Sequence, residues 1–159
     1  MSANAGALTS SFKKEILEGG HAFGAQPANA VRTVTTKDTF YAALFVTGNS
    51  MGAATTVYST SGEVTNGSGS GYTAGGLAIT NANAPSVTSG TAHWTPSASL
   101  VWTAFTSAAP FDCCLIYNYT ATAVNAVGTF VFGAQSITSG TFTLTMPVDD
   151  NSTGLVRIA

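Results

Sequence analysis

The stretch TFTLTMP at 141–147 alternates Thr141, Thr143 and Thr145 with Phe142, Leu144 and Met146. A period of two sends successive side chains to opposite faces of an extended chain, so this segment buries its apolar half only as a strand with a threonine face turned to water. The same period governs the chain from residue 30 onward, broken by Gly, Pro, Asn and Ser at strand-like intervals. FYAALFV at 40–46 is apolar on both faces, as a central strand requires. Further strands are expected at 31–36, 77–81, 91–95, 100–105, 112–119, 128–132 and 155–158. About eight or nine short strands without intervening helices predict an all-β fold, a β-sandwich or jelly-roll-like single domain over 30–159.

Two segments nearly repeat: SVTSGT at 86–91 and SITSGT at 136–141, each leading into a strand that stops at a proline, Pro96 or Pro147. Because the Ser-Gly step marks a turn, they are expected to be equivalent starts of strands rather than traces of duplication.

The first 29 residues read differently. Leu8, Phe12 and Ile16 recur every four positions with Leu17 beside them, while Lys13, Lys14, Glu15 and Glu18 take the other faces. That pattern predicts a short helix, capped among Thr9 to Ser11 and stopped at Gly19-Gly20. A helix this short is marginal alone, so its apolar stripe must dock. It docks either on its own domain or, as an N-terminal arm over 1–29, on a neighbouring subunit. Phe12, Ile16, Leu17 and Phe23 are the candidate contacts with a neighbour.

Charge narrows the function. Only 8% of the 159 residues are charged and the net charge is −2, against about 25% charged residues in an ordinary globular domain. The polar surface is therefore hydroxyl and amide, and little charge repulsion keeps copies apart. This favours a homo-oligomer or other assembly whose neighbours cover the surface, or a protein that works outside a crowded cytosol, although a threonine-rich monomer is soluble too. Lys13, Lys14, Arg32, Lys37 and Arg157 are too few and scattered for a nucleic-acid footprint. No stretch is apolar enough to suggest a membrane role, and the start lacks the apolar core of a signal peptide, so no export by that route is expected.

Chemistry-bearing residues are sparse. Cys113 and Cys114 are adjacent; on a strand they face opposite ways, so two reduced, packed thiols are expected rather than a disulfide or metal pair. His21 lies beside glycines, and His93 beside Trp94 in a predicted strand, where a hydrogen-bonded structural histidine is expected. Asp149-Asp150 precede Asn151 in what reads as a solvated turn; a weak Ca²⁺ site there lacks alternating oxygen ligands. With no C-x-x-C, H-E-x-x-H or G-x-S-x-G motif, no catalytic residue, metal or cofactor is expected.

The segment EVTNGSGSGYTAGG at 63–76 contains Gly69, Gly71 and Ala74 in the pattern G-x-G-x-x-A. A dinucleotide fingerprint of that form needs a helix starting within it and an acidic residue about twenty positions on. Here a short strand and a proline loop follow, no acid appears before Asp112, and no phosphate-binding lysine is present. The expected role is a glycine-permitted connection between strands with Tyr72 as its packing anchor.

Glu63-Val64, Gly69-x-Gly71-Tyr72-Thr73-Ala74-Gly75-Gly76, Ala92-x-Trp94, Cys114-Leu115-Ile116-Tyr117-Asn118, Phe130-Val131-Phe132-Gly133 and Gly140-Thr141-Phe142-Thr143-Leu144 follow one another in an order that resembles a family of small tailed-bacteriophage virion structural proteins, over roughly residues 38 to 159. The resemblance implies a β-sandwich or jelly-roll-like core without catalytic residues, with the loop glycine and Tyr72 as structural positions. The expected function is a capsid decoration or cement protein on the outside of the head, assembled in the bacterial cytoplasm and bound to the major capsid protein. The alternative is a tail or fibre module that binds a host receptor or glycan through loop aromatics such as Tyr72, Trp94 or Tyr119. A third class, a small hydrolase, would have to work through His93 or His21.

Overall fold

In the computed structural model the residues described are 3–24, 36–65, 71–80 and 83–159. The elements are β1 (Ala7–Leu8), α1 (Ser10–Glu18), β2 (Phe40–Val46), β3 (Leu77–Ala78), β4 (Ser86–Thr88), β5 (Thr91–Trp94), β6 (Leu100–Phe105), β7 (Phe111–Asn118), β8 (Ala126–Gln135), β9 (Gly140–Leu144) and β10 (Val156–Ile158). All pairings are antiparallel. They build a five-stranded sheet in the order β1-β8-β7-β2-β3, a three-stranded sheet β10-β5-β4 and a two-stranded sheet β6-β9. Packed together, these antiparallel sheets form a β-sandwich with one short N-terminal helix.

The centre of the large sheet is the β2–β7 pair, apolar on both faces as FYAALFV requires. One face carries Phe40, Ala42, Leu44, Cys114 and Ile116 toward the smaller sheets, where they meet Trp94, Leu100, Trp102, Phe105, Phe142 and Val156. On the other face Ala43, Phe45, Cys113, Leu115 and Tyr117 lie under Met51 and Tyr58 of the connection after β2. Strand alternation thus divides the two adjacent thiols between two interiors. Both are free and fully buried, and burial with the Asp112 charge pushes the Cys113 thiol up to about 12. The β6–β9 pair follows its alternation: Trp102 and Phe142 are paired and buried, while Val101 and Thr143 are paired and exposed.

The helix has the limits its sequence sets. The Thr9 Oγ1 accepts the Phe12 N–H at 3.3 Å and donates to the Ala126 carbonyl at 2.9 Å, fixing the N-cap to β8. Gly19 stops it in the left-handed conformation, φ 73°. Phe12 is fully buried and Ile16 packs on the same core, so the helix docks on its own domain. Burying Phe12 contributes about 1.5–3 kcal/mol.

Two elements were not expected. β1 is two residues long and owes its conformation to pairing with Thr129 and Gly128. β4 lies inside the first of the near-repeats, which is a hairpin: Ser89 and Gly90 both have positive φ, 49° and 84°, and return the chain onto β5. In the second near-repeat only Ser139 turns left-handed, at φ 48°, and the chain passes from the large sheet to the two-stranded one. The two segments are therefore different connections despite their shared spelling. The strand expected at 31–36 lies outside the described residues except for Thr36, which is a bend.

Candidate functional site

A cleft of about 140 Å³ opens between α1 and the three-stranded sheet. Its sides come from Phe12 and Ile16 of the helix, Phe23 just beyond it, and Ala92, Trp94, Val156 and Ile158 of the sheet. The register explains its outer lip. Val87 pairs with Ala92, and Ala92 with Ile158, so these three residues form one row across β4, β5 and β10. All three are exposed, Val87 at 69% and Ile158 at 47%. Leu17, next to Ile16 on the helix, is 89% exposed. Exposed apolar side chains that join a cleft differ from isolated ones, because a partner can cover them together.

Behind the cleft, residues 21–23 are fastened to the large sheet. The Asn118 Oδ1 accepts the N–H groups of Thr120 and Ala121, at 3.0 and 3.2 Å, which fixes its Nδ2 as the donor. That Nδ2 donates to Asp38 at 2.7 Å and faces His21 Nδ1 at 3.1 Å. His21 Nδ1 therefore accepts, and Nε2 carries its hydrogen toward Glu15 Oε2, 2.7 Å away. The Ala22 N–H donates to Asp38 at 2.8 Å. The His21 side chain is only 1% exposed.

The other histidine borders the cleft but turns its side chain to the opposite face of the three-stranded sheet. His93 is 5% exposed; its Nδ1 lies 3.0 Å from Asp149 Oδ1, and its Nε2 lies 3.0 Å from Ser86 Oγ and 3.3 Å from Thr88 Oγ1. Asp149 and Asp150 diverge. Asp150 Oδ1 accepts the N–H and hydroxyl of both Ser152 and Thr153 in a closed turn, and the two backbone donors do most to lower its carboxyl from 3.8 to about 2.

The glycine-rich loop resolves into a carboxylate clasp. Glu63, 5% exposed, accepts the Tyr72 hydroxyl at 2.7 Å and the Gly75 N–H at 2.8 Å on Oε1, and the Tyr58 hydroxyl at 2.6 Å on Oε2. The Tyr72 hydroxyl also accepts the Leu44 N–H of β2 at 2.9 Å. Burial, then the Glu63 bond, pushes the Tyr58 and Tyr72 hydroxyls well above the ordinary phenol range. Gly76, at φ 76°, lies against the Ala42 carbonyl, where a Cβ has no room. Gly76 thus permits backbone packing on β2, and Gly71, at φ 103°, permits it against Thr103 and Ala104 of β6. Residues 66–70, including Gly69, lie outside the described residues.

Of the residues expected to meet a partner, Phe12 and Tyr72 face the domain's own core, and Ile16 and Phe23 are partly buried beside it. Leu17 alone of the five projects fully into solvent. Among the loop aromatics, Trp94 is buried and Tyr119 is 56% exposed, stacked on Tyr41 with ring centroids 4.5 Å apart. The sequence reading missed Val87 and Ile158, whose common row depends on strand register, and the three groups that meet on Glu63. In comparison with known proteins the chain matches no family model, no curated protein and no solved structure.

Proposed function

We propose that this protein is a structural subunit of a bacteriophage particle, a capsid decoration or cement protein that binds the major capsid protein and stabilises the head as a homo-oligomer. The observation that carries the reading is the exposed row Val87–Ala92–Ile158 at the lip of the apolar cleft, on a chain with few charges. The ordered resemblance across residues 38 to 159 supplies the particle. Standard interfaces bury roughly 1,600 Å² in total, so repeated contacts of this kind stiffen a shell without turnover.

Purified particles test this directly. The protein is expected at a copy number approaching that of the capsid protein, and particles lacking it are expected to lose resistance to heat and osmotic shock. Val87→Lys with Ile158→Lys should abolish binding to such particles while the variant keeps its native circular dichroism. Equal resistance with and without the protein overturns the reading.

The stacked Tyr41–Tyr119 pair favours a second reading, a tail or fibre module whose exposed aromatic face stacks on a receptor sugar. A few copies per particle, with host adsorption lost in Tyr119→Ala, would select it.

A further inference from the structure

We propose that Ser86 is a nucleophile, activated by His93 and oriented through Asp149, that accepts and hydrolyses small acyl esters on the outer face of the β4–β5 hairpin. This goes beyond the structural role and does not depend on it. Three residues meet here that are remote in sequence or separated by a turn. Ser86 and His93 are directly opposite in the strand register, and Asp149 arrives from the connection before β10. A carboxylate only accepts, so Asp149 places a hydrogen on Nδ1 of the neutral ring and leaves the Nε2 lone pair to the Ser86 hydroxyl, 3.0 Å away. His93 is buried and held from both sides, whereas Ser86 is exposed. A fixed base next to an accessible hydroxyl is the arrangement nucleophilic catalysis needs.

The hairpin supplies one more group. Its two-residue turn makes Thr88 and Thr91 a hydrogen-bonded pair, so Ser86 and His93 form the next such pair and the Val87 N–H between them points away from β5. β4 is an edge strand of its sheet. The Val87 N–H, next along the chain from the nucleophile, is therefore turned to the open edge and is the donor assigned to the ester's oxygen as it gains charge.

The step balances as follows. The Ser86 oxygen bonds to the ester carbonyl carbon as its proton passes to Nε2, and the carbonyl electron pair moves onto oxygen beside the Val87 N–H. That pair returns as the carbon–oxygen bond to the alcohol breaks, and the alcohol leaves with the proton from Nε2. Water then adds in the same way, giving up a proton to Nε2. The Ser86 oxygen recovers that proton, and the carboxylic acid departs. Ser86 stands on an open strand rather than in a pocket, so the substrate class is small, unhindered esters, acetyl esters first, turned over with little selectivity. Thr88 Oγ1 competes for the same lone pair from 3.3 Å.

The test treats the full chain with a fluorophosphonate probe, maps the adduct by mass spectrometry after chymotryptic digestion, and follows p-nitrophenyl acetate hydrolysis in parallel. A single adduct at Ser86 is expected, absent in Ser86→Ala and retained in Ser89→Ala. His93→Gln should slow labelling about 100-fold, the scale of a lost general base. Asp149→Asn should slow it about tenfold or more through the ring's tautomer, while Thr88→Val, which removes the competitor, should speed it. Because His93 is buried and its variant also loses some stability, the exposed pair Ser86→Ala and Ser89→Ala decides the matter without it. Adducts spread over Ser61, Ser89 and Ser97, or ester hydrolysis unchanged in Ser86→Ala, overturn the proposal. Neither result bears on particle binding, which is measured separately.

Discussion

The two histidines make a controlled comparison. Each is almost fully buried and each meets one carboxylate, Glu15 for His21 and Asp149 for His93. They differ in what faces the second nitrogen. His21 meets an amide nitrogen whose orientation is locked by two backbone donors, so its ring has one hydrogen-bonding role. His93 meets two hydroxyls, which donate or accept as the ring requires. The difference separates a fastener from a group able to move a proton, although burial and carboxylate pairing are alike.

The largest effect is expected where the His21 side is tied into the core. Phe12, whose ring centroid lies 5.0 Å from that of His21, is fully buried, and Phe12→Ala should cost about 3–5 kcal/mol in urea denaturation. A loss below about 1 kcal/mol would mean that the helix and residues 21–23 are not part of the cooperative core. Asn118→Asp comes next. It replaces the shared donor with an acceptor facing both Asp38 and His21, and should cost about 2 kcal/mol, in the range of hydrogen bonds to charged groups.

On the other side, His93→Gln, whose amide can still donate to Asp149, should cost about 1 kcal/mol by the same measurement. If it matches Asn118→Asp instead, the contrast between fastener and proton carrier is lost. The smallest effect is local. The Asp150 carboxyl is held below its ordinary 3.8, at about 2, so the turn it closes is stabilised above the ordinary value and released as pH falls through about 2. NMR shifts of the Ser152 and Thr153 amides should move mainly between about pH 3 and 1, centred on the folded-state value. Movement only above that range would assign the turn to another group.

The fold was legible wherever one residue's neighbours along the chain decide its environment. The β2 and β6 limits match their expected ranges, and β7 and β8 lie within three residues of theirs at either end, because the apolar runs and alternation there are unambiguous. Thr9 and Gly19 marked the helix for the same reason. β1 and β4 escaped because Ala7–Leu8 and Ser86–Thr88 are too short to carry a period and become strands only through their partners. The sites were less legible still. Glu63 reads as isolated until the chain turns back to bring Tyr72 and Gly75 to it. Ser86, His93 and Asp149 converge through a hairpin register and a connection more than fifty residues away, and no local spacing encodes that.

The division of Cys113 and Cys114 between two interiors has an experimental use. The β7 backbone separates them, so neighbouring side chains along the chain sample separate environments. Pulsed alkylation during denaturation, resolved by mass spectrometry at each position, would time the loosening of each layer from one peptide. Equal modification rates would reveal a sandwich that opens as a unit. Earlier capture of Cys113 would show the cover of Met51 and Tyr58 lifting first, with the larger core still closed behind β7.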